Sequence, residues 1–276
     1  MGTVEQEVAR HYGRGEIESV ILDGLKAAGH SLDDLRPEDL APVDEFHIGG
    51  VEATAALAER LGLVPGMRVL DIGCGIGGPA RFLASRHGCR VVGVDLAPEF
   101  VAAGTALTKR VGLADRVELR VGSALDLPVE EGAFDAVALL HVGMNIPDKE
   151  PLCAAAHRAL RPGGSFAVYD VMRVGEGELA YPVPWAATAA TSFVETPETY
   201  RRALTAAGFT AAAELMLRDM ALDFFRRMRA RAAESGPPAL GLHQLMGPDA
   251  PAKVANMIAN IERGVIAPVE IIAKRG

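Results

Sequence analysis

The chain of 276 residues holds only three cysteines, Cys74, Cys89 and Cys153. An odd number without metal-ligand spacing argues against a disulfide framework and against a zinc site, and no metal is expected. Aromatic residues make up 5% of the chain. Positive charge is in deficit, with 28 Lys and Arg against 36 Asp and Glu and a formal net charge of −8. Apart from Arg226, Arg227, Arg229 and Arg231 on one expected helix, read as a solvated face, no basic cluster stands out against the acidic balance, so the counterion release that drives nucleic-acid binding has little footprint and no nucleic-acid partner is expected. No apolar run reaches the roughly 18 residues of a membrane span. The stretch 133–144 is short and is interrupted by Asp135 and His141. The amino terminus carries Glu5 and Glu7 where a signal peptide would be basic and then apolar. These absences lead to the expectation of a cytoplasmic protein with no membrane partner; they leave the oligomeric state open.

What is present is a chain 49% hydrophobic, enough for one sizeable core. Residues 3–40 read as short helices ending in a polar, turn-rich stretch, and residues 51–62 have helical spacing up to Gly62. A regular alternation then begins. Strands are expected at 67–71, 90–95, 116–121, 134–140 and 165–171, with helices at 78–87, 98–111 and 148–160. The last of these closes on Arg161-Pro162-Gly163-Gly164. Apolar strands alternating with helices imply a parallel sheet covered on both faces, wound by right-handed crossovers. After the fifth strand comes a long connection, 174–197, then a helix at 198–207, a weak strand near 210–218, helices at about 220–234 and 249–263 around a Gly/Pro-rich loop, and a closing strand at 265–273. The expected fold is an α/β, doubly wound, mostly parallel seven-stranded sheet. The expected organisation is an N-terminal helical cap, 1–50, on a domain spanning 51–276, with lid insertions at about 174–197 and 220–263.

The sharpest local feature is Val69-Leu70-Asp71-Ile72-Gly73-Cys74-Gly75-Ile76-Gly77-Gly78, a strand running into glycines and then a helix. Such glycines permit positive φ and close approach of a ligand to the backbone. Gly73, Gly75 and Gly78 also satisfy G-x-G-x-x-G, so a dinucleotide site fits the same spacing. Asp71 separates the two possibilities: a carboxylate before the first glycine would repel a pyrophosphate but would favour a cationic ligand. Asp95, ending the second strand, suits ribose hydroxyls in either case.

The segment Asp71-Ile-Gly-Cys-Gly-Ile-Gly77 resembles the first motif of class I S-adenosylmethionine (SAM)-dependent methyltransferases. Asp95, then Gly122-Ser123-Ala124-Leu125-Asp126-Leu127-Pro128, Phe134-Asp135 and Leu160-Arg161-Pro162-Gly163-Gly164 follow in that family's order and spacing, covering roughly 65–171. Less specific likenesses, Phe46-His47-Ile48-Gly49 and Ile146-Pro147-Asp148-Lys149, are similar to segments of the sarcosine/dimethylglycine N-methyltransferase and tocopherol C-methyltransferase group. The resemblance implies the Rossmann-like methyltransferase fold, SAM as cofactor and a small-molecule acceptor. It also implies that Asp71, Gly73, Gly75, Gly77, Asp95, Leu96, Ser123, Ala124 and Leu125 hold the cofactor. The chain departs from the family at Ser123, where relatives often carry Asp, at His141, where some carry an acid, and at Asn145, where some carry His.

Three residues are candidates for positioning the acceptor or removing its proton: His141, after the fourth strand, and Tyr12 and His47, in the segment expected to fold over SAM. A side-chain pKa near ~6.5 suits His141 to proton removal. Trp185, Tyr181 and Asn145 are candidates for the acceptor pocket, Trp185 with a π face that could meet a cation. A methyl on a sulfonium is already activated, so alignment supplies most of the acceleration. Nitrogen of a small amine or amino acid is the first acceptor expected. Carbon or oxygen of a phenolic or lipid-like metabolite is the alternative, and a nicotinamide oxidoreductase is the competing class.

Overall fold

A computed structural model describes residues 3–12, 17–236 and 239–276, apart from the side chains of residues 9–12, 211 and 235. The alternating apolar segments become β1 (Arg68–Ile72), β2 (Arg90–Asp95), β3 (Val117–Val121), β4 (Phe134–Leu140) and β5 (Leu160–Arg173), mutually parallel. β6 (Phe209–Met216) and β7 (Ile266–Arg275) complete a seven-stranded sheet in the order β3-β2-β1-β4-β5-β7-β6. β7 runs antiparallel to both its neighbours. Strand order changes direction between β1 and β4, which opens a crevice at their carboxyl ends, the usual ligand position in such sheets.

Helices flank the sheet: α1 (Val4–Tyr12), α2 (Ile17–Ala27), α3 (Ala41–Asp44), α4 (Gly50–Arg60), α5 (Gly78–His87), α6 (Pro98–Arg110), α7 (Lys149–Ala159), α8 (Pro197–Ala206), α9 (Arg218–Ser235), α10 (His243–Met246) and α11 (Ala250–Glu262). Their starts follow from local chemistry. Prolines occupy the first turn of α5, α6, α8 and α11, where the missing N–H has no helical partner to lose. Asp148 caps α7 by accepting from the Glu150 N–H, and Thr196 caps α8 by accepting from the Thr199 N–H.

The period-2 alternation of β1 sorts its side chains to opposite faces. Val69 packs with Val91, Ala80, Leu83 and Ala58 on the α4–α5 face. Leu70 and Ile72 pack with Val137, Leu139, Leu152, Ala156 and Leu204 on the α7–α8 face. Each such fully buried side chain contributes roughly 1.5–3 kcal/mol relative to exposure. A third cluster joins α2 (Ile17, Ile21, Leu25) to α6 (Phe100, Ala103, Leu107) and to Leu240 and Leu245.

Two expectations of the sequence shift. The fifth strand begins at Leu160 rather than at 165, running through Arg161-Pro162-Gly163-Gly164 with a register irregularity opposite Phe134 and Ala136. The stretches read as loops are partly helical: residues 37–40 form a 3-10 turn leading into α3, and α10 lies inside the Gly/Pro-rich segment after α9. In both places a few apolar residues (Leu35, Leu40 and Val43; Leu240, Leu245 and Met246) bury themselves in otherwise polar sequence. No helix of the described residues is long and apolar enough to cross a membrane.

Candidate active site

The glycine elbow is built as its residue types require. Gly73, Gly75 and Gly77 have φ of +73°, +54° and +82°, a region that side chains with a Cβ rarely adopt. At Gly73 a Cβ would also lie 2.3 Å from a methyl of Val142, so the loop after β4 closes directly on the elbow. The Gly73 N–H donates to the Val94 carbonyl at 2.7 Å. Asp95 accepts from the N–H groups of Gly75 at 2.8 Å and Ala97 at 2.9 Å, which ties the end of β2 to the elbow.

Above the carboxyl ends of the strands lies a cavity of about 1370 Å³. Asp71, Gly73 and Gly75 reach it from β1 and the elbow, and Asp95 and Leu96 from the end of β2. Ala124 and Leu125 reach it from the loop after β3, and His141 and Asn145 from the loop after β4. His47 and Trp185 complete the predicted set that one wall unites. Gly77, Ser123 and Tyr181 stand off the wall. Gly77 starts α5, Ser123 bonds Glu5, and Tyr181 packs against the cluster around Trp185. Trp185 is itself buried, its Nε1 donating to Ser192 Oγ at 2.9 Å. Tyr12 ends α1, and its side chain lies outside the described residues.

Among the described residues, two buried side-chain polar atoms lack a hydrogen-bond partner, Asp71 Oδ2 and His141 Nε2. Buried polar atoms are ordinarily bonded, and both of these belong to residues of the same cavity. Burial, reinforced by the neighbouring charges of Glu45 and Asp95, pushes the Asp71 carboxyl up to about 7. Burial likewise raises Asp95, against the pull of its backbone donors. Three acids thus share one wall, and a cationic ligand there would relieve their repulsion whereas a pyrophosphate would add to it.

His141 sits at φ +55° and donates its N–H to the Tyr169 carbonyl at 2.7 Å. A non-glycine residue held in this region costs about 1–3 kcal/mol, which the surrounding structure must offset. Burial, with His47 nearby, holds the His141 ring well below the usual imidazole range, so it is neutral at pH 7 and a weak base: the expectation that a pKa near ~6.5 suits it to proton removal is not met, and Nε2 is left for a hydrogen bond.

His47 is already engaged. Its Nε2 lies 2.8 Å from Glu45 Oε2 and 3.0 Å from Thr54 Oγ1, and its Nδ1 lies 3.2 Å from the Ile48 carbonyl. The Thr54 hydroxyl donates to Glu45 at 2.7 Å, and the Tyr169 hydroxyl donates to the same Ile48 carbonyl at 2.9 Å.

Further residues hold this site together, and of these the sequence reading missed Asp44 and Arg81. Asp44 pairs with Arg81 of α5, whose guanidinium also reaches the Ile76 carbonyl at 2.7 Å and the Thr108 hydroxyl at 3.1 Å. Lys149 donates to the carbonyls of Ile146 and Phe193 at 2.5 and 2.9 Å, fastening the loop after β4 to the connection after β5. Asp170 of β5, fully buried, accepts from the Tyr200 hydroxyl of α8 at 2.5 Å. Arg81 follows the elbow by one helical turn, a signal that was available; nothing in the sequence pairs it with Asp44.

Sheet order, elbow and cavity are those of the Rossmann-like methyltransferase fold, and residues 70–168 match the family described as "Methyltransferase domain". Over those residues, about a third of its length, the chain is similar to a methyltransferase domain. A sterol 24-C-methyltransferase of Gibberella zeae is 35% identical over 114 residues, 41% of this chain and 30% of that protein. Phosphoethanolamine N-methyltransferase 1 of Arabidopsis thaliana is 34% identical over 125 residues, 45% of this chain and 25% of that protein. These similarities span a third or less of the relatives' own lengths. The solved geranyl diphosphate C-methyltransferase of Streptomyces coelicolor aligns over 100% of this chain and 98% of its own at a TM-score of 0.71, and at 20% identity shows likeness of fold. The two relatives methylate carbon and nitrogen by name, so similarity does not fix the acceptor atom.

Proposed function

We propose that the chain is a SAM-dependent methyltransferase acting on a small, largely apolar acceptor. The observation that carries this reading is the pair of buried polar atoms without a partner, Asp71 Oδ2 and His141 Nε2, in one cavity beside the glycine elbow. The residues present fit SAM: a carboxylate oxygen without a partner, among acids, for its cationic groups, and glycines at 73, 75 and 77 of the elbow for close approach. The cofactor supplies, when bound, a methyl group already activated on a sulfonium.

The chain's own residues do the rest. Asp71 balances positive charge at the end of β1. Gly73 and Gly75 leave the backbone open to the ligand. Asp95, fixed by two backbone donors, keeps acceptor capacity for ribose hydroxyls, and Leu96, Ala124 and Leu125 line the edge where the purine lies. Neutral His141, whose buried Nε2 has no partner within the chain, positions the acceptor by a hydrogen bond. Residues 1–50 act as a cap, and the insertions at 174–197 and 220–263 act as lids that exclude water.

The cavity has room for SAM and an acceptor together, and away from the elbow its lining includes the apolar side chains of Ile48, Met144, Trp185, Phe225 and Met257. That supports an extended phenolic or lipid-like acceptor over a small amino acid, and favours carbon or oxygen as the methylated atom. Thermal-shift comparison of SAM, S-adenosylhomocysteine and NADH tests the cofactor. Ligand at 100 times its Kd stabilises by about 2.7 kcal/mol, which the first two ligands should supply and NADH should not. Labelled-methyl transfer to a panel of apolar phenols, prenyl compounds and small amines tests the acceptor; product from the amines alone would refute the apolar assignment.

A further inference from the structure

The loop after β3 is closed by a residue far away in the sequence. Glu5 of α1 accepts from the Ser123 hydroxyl at 2.5 Å, and Ser123 Oγ in turn accepts from the Leu125 N–H at 3.0 Å. Thr3, together with Val4, Glu5 and Val8 of α1, lines the same cavity as Gly122, Ala124 and Leu125. The start of α1 is itself fixed. Thr3 Oγ1 accepts from the Gln6 N–H at 3.3 Å, and the Gln6 side chain accepts from the Thr3 N–H at 2.9 Å. Glu5 is therefore held at the cavity edge by a helix-start box on one side and by the Ser123 hydroxyl on the other.

We infer that Glu5 is a specificity-determining residue of the cofactor site, reading the exocyclic amine of the purine base. The inference rests on the cofactor reading above, which places the ribose at Asp95 and so carries the base outward toward 122–125. Ser123 has a hydroxyl committed to Glu5, so it brings no anionic acceptor of its own to that edge. A carboxylate is acceptor-only and has room for about four hydrogen bonds, of which the Ser123 bond uses one. It therefore welcomes a base whose edge donates, as a 6-amino group does, and rejects one whose edge accepts, as a 6-oxo group does. Ser123 is a positioning residue in this arrangement: it aims the carboxylate and does not read the base.

The test compares binding of S-adenosylhomocysteine with its 6-oxo analogue, S-inosylhomocysteine, by calorimetry on the whole chain. The wild type should prefer the adenosyl compound. Glu5→Gln should weaken the adenosyl compound by about tenfold, the scale of one charge-assisted hydrogen bond, and leave the inosyl compound unchanged or tighter. Ser123→Ala should shift each compound as Glu5→Gln does, by less. Adding Ser123→Asp to Glu5→Gln should restore the preference, because the carboxylate then comes from the loop itself. Equal loss of both compounds in Glu5→Gln, or no change in either, overturns the inference while leaving the cofactor reading intact. A wild type that binds neither compound overturns the cofactor reading first.

Discussion

The carbonyl oxygen of Asp44 lies 1.9 Å from the point that a Cβ on Gly78 would occupy. The same residue's carboxylate pairs with Arg81 one turn further along α5. Backbone and side chain of Asp44 thus dock the segment before α4 onto the helix that leaves the glycine elbow, and Glu45 and His47 follow directly from that anchor.

Gly78→Ala is expected to push this segment away. The clash is with backbone, which cannot rotate aside, so destabilisation of about 1–3 kcal/mol is expected from overpacking. Urea unfolding would measure it. The same variant should bind S-adenosylhomocysteine more weakly, because Glu45 and His47 move with Asp44. Unchanged stability would mean that the segment is not seated on α5.

Asp71 makes the stability of the ligand-free protein depend on pH. Its folded-state value is raised to about 7, above that of the unfolded chain, so the folded state binds more protons between about pH 4 and 7. Stability should therefore fall as pH rises through that window. Asp44 and Asp170, each raised to about 6 mainly by burial, act in the same direction. Asp71→Asn should make the decline shallower and raise Tm at pH 8 by about 2–4 °C for each kcal/mol recovered. Melting curves from pH 5 to 8 on both proteins would show it, and parallel curves would contradict it.

The order of elements was legible because each carries a local signal. The strands are short apolar runs, the helices begin at Pro79, Pro98 or the Asp148 cap, and the elbow is written in Gly73, Gly75 and Gly77. The identities of Asp71 and Asp95 announced a charged, ribose-sized site. The links Asp44–Arg81, Glu5–Ser123 and Lys149 to the Phe193 carbonyl were not legible. Each joins residues at least 37 positions apart, and nothing local to either partner names the other. α10 was missed because three apolar side chains in a Gly/Pro-rich stretch carry no periodicity of their own.

His141→Ala should separate binding from catalysis. On the proposed reading the unpartnered Nε2 positions the acceptor by a hydrogen bond, so kcat/KM should fall by about tenfold or more, with the Kd for S-adenosylhomocysteine changed little. Because burial keeps this ring neutral through the usual imidazole range, wild-type kcat should show no imidazole limb between pH 6.5 and 8. A loss confined to cofactor affinity would move His141 out of the acceptor pocket.

The most direct measurement is calorimetric titration of S-adenosylhomocysteine into the wild type and Asp71→Ala. The account predicts saturable one-to-one binding to the wild type and at least about tenfold weaker binding to the variant, since a buried charge partner is lost. Wild-type and variant isotherms that coincide, or a wild type that takes up no ligand, would contradict it.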